Sequence, residues 1–264
     1  MSYVPRWLRR TATDGSVYVS ERFGVRSLHI GSDTIQSSMR LARPNDLELA
    51  YTRSMMAFLL FNPRPDRILL VGLGGGSLAK FIYYRIPEAT TEVVEVNPQV
   101  VAIARRLFGV PFADERLAIR VCDGAQYMAS DGPRYGAILV DGYDGDSQAE
   151  ELASRAFYEA CLRRLTEHGV LVVNLWGSDR RFGEYLARIE ETFSAGTLCL
   201  PAEKPGNVIV LAFRGQQEHP RWDDLKLRAG RLSEIYGLEF AKFAQGLRKM
   251  NRCDGDRLYI SNRK

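Results

Sequence analysis

The sequence predicts an α/β fold built on a parallel sheet covered on both faces, and three observations predict it. The first is the run Arg67-Ile68-Leu69-Leu70-Val71-Gly72-Leu73-Gly74-Gly75-Gly76-Ser77-Leu78, an apolar strand that enters a glycine-rich turn and then a helix. Glycine admits positive φ and lets a ligand approach the main chain, and the helix that follows offers unpaired N–H groups at its start. The second is the next strand, Thr91-Glu92-Val93-Val94-Glu95-Val96-Asn97, which brings an acid 23 residues after Gly72. That is the distance at which an acidic residue grips the ribose hydroxyls of a nucleoside. The third is the alternation of apolar strands with helical patterns that continues from there, the rhythm of a doubly covered sheet.

Taken in order, the elements begin between Ser16 and Leu41, where alternation favours strands at Val17–Val19, Val25–Ile30 and Thr34–Arg40. Gly31-Ser32-Asp33 supplies the hairpin turn between the last two. Asn45-Asp46 is expected to cap a helix that runs to Phe61, where Asn62-Pro63-Arg64-Pro65 stops it. Strands are expected at 67–72, 90–96, 117–122, 136–141 and 169–175, and helices at 76–85, 98–108, 124–129 and 153–166. Right-handed crossovers place every strand C-terminus on one edge, which is where open α/β sheets bind ligands. A helix at 180–194 and strands at 196–200 and 207–213 close the unit, and two helices follow at 222–233 and 238–249. The expected organisation is a small β unit over 1–45, a nucleoside-binding catalytic unit over 46–215 and a basic helical extension over 216–264.

Composition narrows the classes of function. A chain of 264 residues with 45% hydrophobic residues can bury a large core. No run of 18 apolar residues occurs, and the basic stretch Met1–Arg10 has no apolar stretch behind it, so neither a membrane span nor a signal peptide is expected. Cys122, Cys161, Cys199 and Cys253 are far apart and read as buried free thiols of a reducing, cytoplasmic compartment. His29, His168 and His219 form no cluster, so zinc chemistry is not expected. The net charge is +4, with much of the excess in the last fifty residues. Few aromatics interleave with those bases, which favours a solvated helical face over a nucleic-acid surface.

The polar residues that matter fall at strand ends. Beyond the glycine loop and Glu95, Asp123 follows a strand and begins a helix; its carboxylate can accept from a purine amine while Gly124 leaves room for the ring. It can also serve as a helix N-cap, and the two roles are compatible. The richest end is Asp141-Gly142-Tyr143-Asp144-Gly145-Asp146, three acids in six residues. Their repulsion calls for a cation among them. The EF-hand pattern fails for want of a glycine at its sixth position; an organic amine, held by the acids and deprotonated by one of them, is the other candidate, beside a plain solvated acidic loop.

With those residues in view, the run from Val25 to Arg214 resembles the spermidine synthase (polyamine aminopropyltransferase) family. The hairpin Thr34-Ile35-Gln36, Tyr51, Glu95, Asp123-Gly124, Asp141, Asp144, Leu152 and Phe157-Tyr158 carry the resemblance. It implies a class I methyltransferase-like Rossmann fold with a small N-terminal β unit. It implies aminopropyl transfer from decarboxylated S-adenosylmethionine to an amine, with methylthioadenosine released. By the same resemblance Glu95 holds the ribose, Asp123 and Gly124 the adenine, and Asp144 accepts the proton with Asp141 beside it. Gly74 stands where the family has an Asp facing the donor's aminopropyl amine, and Thr52 where a Gln or His lines the amine site. The proline-containing segment after the fourth strand is Asp144-Gly145-Asp146-Ser147-Gln148, and the late tyrosine-rich loop is reduced to Glu203-Lys204-Pro205-Gly206-Asn207. The nucleoside half of the pattern is kept and the amine half is rewritten.

The expected function is therefore a transferase that uses an S-adenosyl sulfonium. The co-substrate is decarboxylated S-adenosylmethionine or S-adenosylmethionine, with no metal. Gly72, Gly74 and Gly75 would lie beside the sulfonium, and Gln36, Tyr51 and Tyr143 would wall the amine site. The partner is a small-molecule amine; no membrane or nucleic acid is expected, and a homodimer is compatible with the pattern. Two other functions remain open, an S-adenosylmethionine-dependent methyltransferase and a non-catalytic nucleoside- or polyamine-binding protein, because the fold alone hosts all three.

Overall fold

The computed structural model describes residues 17–144, 147–202 and 206–262. It begins with three antiparallel strands, β1 (Val17–Arg22), β2 (Val25–Ile30) and β3 (Ile35–Arg40), joined in that order. The β2–β3 register slips between Leu28 and His29, which pair with Ser37 and Ile35 and leave Gln36 unopposed. Such a bulge re-aims a side chain, and here it lies beside the cleft described below.

The helix expected from Asn45 starts later. Helix α1 spans Ala50–Met55 and tightens into a 3-10 turn over Met56–Leu60. Its N-cap is Leu49, without a side-chain bond. Asp46 instead pairs with Arg43 and Arg85, and Glu48 with Arg40, so the acids that would start a helix are engaged elsewhere.

The main sheet follows: β4 (Arg67–Val71), α2 (Ser77–Arg85), β5 (Thr90–Glu95), α3 (Pro98–Phe108), β6 (Leu117–Val121), α4 (Gly124–Ala129) and β7 (Tyr135–Val140). A two-residue hairpin, β8 (Tyr143–Asp144) with β9 (Ser147–Gln148), occupies the acidic loop. Then come α5 (Arg155–Arg164), β10 (Leu165–Trp176), α6 (Phe182–Thr192), β11 (Thr197–Pro201), β12 (Asn207–Phe213), α7 (Trp222–Tyr236) and α8 (Phe240–Leu247). The seven strands lie in the order β11-β12-β10-β7-β4-β5-β6. Strands β10, β7, β4, β5 and β6 are parallel, and β12 runs antiparallel to both neighbours. This is the class I methyltransferase-like Rossmann fold.

Side chains of the central strands alternate between two apolar layers. Ile68, Leu70, Ala137, Leu139, Val170 and Val172 face α1, α2, α7 and α8. Leu69, Val71, Ile138, Val140, Leu171 and Val173 face α5 and α6. The C-terminal helices belong to the first layer: Trp222, Leu225, Leu232, Phe240, Phe243 and Leu247 are buried there, while Lys226, Arg228, Arg231 and Lys242 stay exposed. Cys161 and Cys199 are buried free thiols; Cys122 and Cys253 are only half-buried, Cys122 lying just after the edge strand β6. Among the described residues no helix is long and apolar enough to cross a membrane.

The small sheet is tied down from inside. Leu28 and Met39 pack on Val100 and Phe108 of α3. Lys80 of α2, 1% exposed, donates to the carbonyls of Pro44 at 2.5 Å and Phe108 at 2.7 Å. Burial lowers its ammonium to about 8 from 10.5. Between those values the unfolded chain binds a proton that the folded chain does not, so the stability contributed by Lys80 rises with pH across that window. Lys80→Met strips the donor from two carbonyls and should cost roughly 1–3 kcal/mol. Denaturant melts should show the deficit widening as pH is raised above 8; a deficit that narrows would reverse the assignment.

Candidate active site

A cleft of about 1060 Å³ crosses the C-terminal ends of the parallel strands and is roofed on one side by β3 and the residues before it. It is lined at one end by Glu95, Asn97, Asp123, Gly124 and Leu152, in the middle by Gly72, Gly74, Asp141 and Asn174, and at the other end by Gln36, Leu49, Tyr51, Trp176 and Asn207; Glu151 also lines it.

The glycine loop is shaped by its neighbours. Gly72 has φ +97 and Gly74 φ +52. A Cβ on Gly72 would lie 2.4 Å from the Asp141 carbonyl oxygen, so this position needs glycine for space as well as conformation. Gly74 needs it for conformation alone, since a Cβ there meets only Ser37, at 3.6 Å. Gly75 turns away from the cleft wall toward Ser37 and Phe108.

Glu95 ends β5, and its carboxylate accepts from the backbone N–H of Leu73 and of Asn97, each at 2.9 Å. One side chain thus holds the glycine loop and the start of α3. A carboxylate has acceptor positions beyond two such bonds, so Glu95 keeps capacity for hydroxyl donors in the cleft. Asp123 is the N-cap of α4, accepting from Gln126 N–H at 2.7 Å. Gly124 lies so close to Val71 and Leu152 that a Cβ would meet Val71 at 2.7 Å.

Asp141 sits at the end of β7, in the centre of the cleft. Asn174 donates to one oxygen at 2.8 Å and the Tyr51 hydroxyl to the other at 3.1 Å. Burial pushes its carboxyl above the usual carboxylate range, and the bonds from Asn174 and Tyr51 pull back toward the ionised form. The Tyr51 hydroxyl also lies 3.3 Å from the main-chain oxygen of Gln36, which brings the bulge of the small sheet to Asp141. The backbone of Tyr143 and Asp144 forms β8; their side chains, with Gly145, Asp146 and residues 203–205, lie outside the described part. Thr52 is buried and bonds the Leu49 carbonyl, so it does not wall the cleft. Among the described residues no group of three or more His, Cys, Asp or Glu is placed to hold a metal.

Sequence reasoning missed Asn174, Trp176 and Asn207. Asn174 had a signal, a lone amide inside the apolar run Val170-Leu171-Val172-Val173-Asn174-Leu175 of a central strand. Trp176 and Asn207 had none, because they reach the cleft through the pairing of β10 with β12.

Fold and site together define a class I methyltransferase-like architecture with carboxylates of three strand ends, those of β5, β6 and β7, arrayed along one cleft. Residues 48–189 match the model of the spermine/spermidine synthase domain. The chain belongs to the spermine/spermidine synthase family. It is 41% identical over 245 residues to a polyamine aminopropyltransferase of Neisseria meningitidis, covering 92% of this chain and 93% of that protein. It is 43% identical over 244 residues to one of Chromobacterium violaceum, covering 92% and 94%. The crystal structure of a probable spermidine synthase from Corynebacterium glutamicum superposes with a TM-score of 0.68 at 22% identity, over 90% of this chain and 93% of that one.

The contact of Gly72 with Asp141 generates a prediction. Gly72→Ala combines strain at positive φ with overpacking and should cost roughly 2–4 kcal/mol. Gly109→Ala is the control, since Gly109 has φ +70 and open space around it; it should cost only roughly 1–2 kcal/mol. Equal losses in thermal melts would show that the close approach to Asp141 does not matter.

Proposed function

We propose that this chain transfers the aminopropyl group of decarboxylated S-adenosylmethionine to a polyamine acceptor. The observation that carries the reading is Asp141, a carboxylate held between Asn174 and Tyr51 at the centre of the cleft. Glu95 and Asp123 lie on one side of it and an aromatic end on the other. Relatives named polyamine aminopropyltransferase, matched over almost their whole length, support it.

In this reading Glu95 accepts from the ribose hydroxyls, and Asp123 with Gly124 seats the adenine. Gly72 and Gly74 of the glycine loop leave space beside the sulfonium. The acceptor's primary amine lies against Asp141 and Asp144, with Gln36, Tyr51 and Tyr143 around it. Its nitrogen attacks the aminopropyl carbon bonded to sulfur; the N–C bond forms, the C–S bond breaks, and methylthioadenosine leaves. The proton shed by the amine passes to Asp144, and Asp141 holds the ammonium beforehand. The sulfonium is a good leaving group, so alignment and proton removal are the protein's tasks.

The deciding experiment incubates the protein with decarboxylated S-adenosylmethionine, then with S-adenosylmethionine, each against a panel of amines, and reads products by mass spectrometry. Methylthioadenosine with an extended amine supports the proposal. S-adenosylhomocysteine would replace it with methyl transfer, and binding without product would replace it with a sensor. The intact donor belongs in the panel because Gly74 presents no carboxylate to repel the donor's own.

Glu95→Ala should weaken methylthioadenosine binding at least about tenfold, the loss of charge-assisted bonds, and should also loosen the Leu73 N–H that Glu95 holds. Calorimetry returning native affinity would remove Glu95 from the ribose site. Asp144→Asn should lower turnover roughly 10²–10⁴-fold with methylthioadenosine affinity retained; a variant near the native rate would move the base to Asp141.

The pH profile tests Asp141. The ionised form holds the amine, and its carboxyl is raised by burial, so kcat/KM should fall as pH drops through that raised value. Tyr51→Phe removes a bond that favours ionisation, so the acid limb should move to higher pH. A limb that stays in place or moves down would show that Asp141 does not titrate in catalysis.

A further inference from the structure

The two ends of the cleft differ in chemistry. The four acids among its described lining residues are Glu95, Asp123, Asp141 and Glu151. Of the three at strand ends, Glu95, Asp123 and Asp141, none lies beyond Asp141 toward β12. That end carries Leu49, Trp176 and Asn207, with Ile30, Thr34 and Ile35 of the small sheet along the roof.

Trp176 is the conspicuous member. It is the last residue of β10, two residues after Asn174, so both side chains project from the same face of the sheet. It pairs with Asn207, the first residue of β12. The residue is 42% exposed although it lines a concave cleft. Among the described residues no cation and no other ring lies over its indole. The contrast is Trp222, which is buried and has the Arg248 guanidinium 3.8 Å above its ring. An indole left bare in a cleft is apolar surface with an electron-rich face, and such faces hold organic cations.

We infer that Trp176 determines acceptor specificity by holding the second, non-reacting ammonium group of the amine and its neighbouring methylenes against its indole face. This rests on the polyamine reading above. A reacting amine at Asp141 that extends along the strand ends away from Glu95 passes over Asn174 and reaches Trp176. Asp141 takes the reacting end through charge, and Trp176 takes the far end through its ring. A flexible cation with a long methylene chain suits both parts of such a surface. A monoamine satisfies only the first.

Steady-state kinetics with a terminal diamine and with the monoamine of the same chain length tests the assignment in the native chain and in Trp176→Ala, Trp176→Leu and Trp176→Phe. The Ala and Leu variants should raise KM for the diamine by ~2- to 30-fold, the range of a cation on an indole face. Their kcat at saturating diamine and their affinity for methylthioadenosine should stay near native. KM for the monoamine should move little, and the Phe variant should restore most of the diamine preference. Leu fills the volume without a π face, so a Leu variant that behaves as native would overturn the assignment. So would an Ala variant with unchanged diamine KM, or an equal rise for both amines. Failure of the polyamine reading is visible separately: the native chain would release no methylthioadenosine with any amine.

Discussion

Everything at the ligand edge depends on hydrogen bonds that continue the sheet's ladder past its strand ends. Asp141 N–H bonds the Val71 carbonyl at 2.9 Å, Gly72 N–H the Val94 carbonyl at 2.9 Å, and Cys122 N–H the Glu95 carbonyl at 3.1 Å. Four strands are thereby joined at the point where regular pairing stops. The contact of Gly72 with the Asp141 carbonyl sets how close β4 and β7 approach there, and no residue with a side chain meets that distance. Glu95 then turns the loop back over the edge by accepting from Leu73. The cleft is what remains above this seam.

A second constraint is electrostatic. Charge is placed where water is scarce only when polar partners surround it. Asp141 has an amide and a phenol; Lys80 has two carbonyls. The two sites serve different ends. Lys80 carries a charge into the joint between the small sheet and α2 and α3, where the carbonyls at a helix end and after β3 receive it. Asp141 faces the cleft, and its raised carboxyl leaves it responsive to a cation arriving there. Tyr51 links the two regions, because its hydroxyl reaches both Asp141 and the bulged Gln36.

The C-terminal helices show how a composition bias misdirects attention. Residues 216–264 read first as basic, yet α7 and α8 bury Trp222, Leu225, Leu232, Phe240, Phe243 and Leu247 in the same layer as α1 and α2. The lysines and arginines occupy the solvent side of amphipathic helices. Asp46 misleads in the opposite way: it has the chemistry of a helix cap and is used in ion pairs with Arg43 and Arg85, so α1 begins at Ala50.

The sequence by itself determined the sheet, the glycine loop and the acids at the strand ends. Strand and helix periods are local, glycine marks its own φ, and a carboxylate following an apolar strand must emerge at the edge where that strand stops. Glu95, Asp123 and Asp141 were legible for that reason. Tertiary structure alone decided what stands opposite them. Asn174 meets Asp141 across adjacent strands 33 residues apart, and Tyr51 meets it from 90 residues away. Trp176 reaches the cleft because β12 runs antiparallel beside β10 and sets Asn207 against it. Burial likewise decided the state of Asp141 and Lys80, since desolvation belongs to the surroundings and not to the residue.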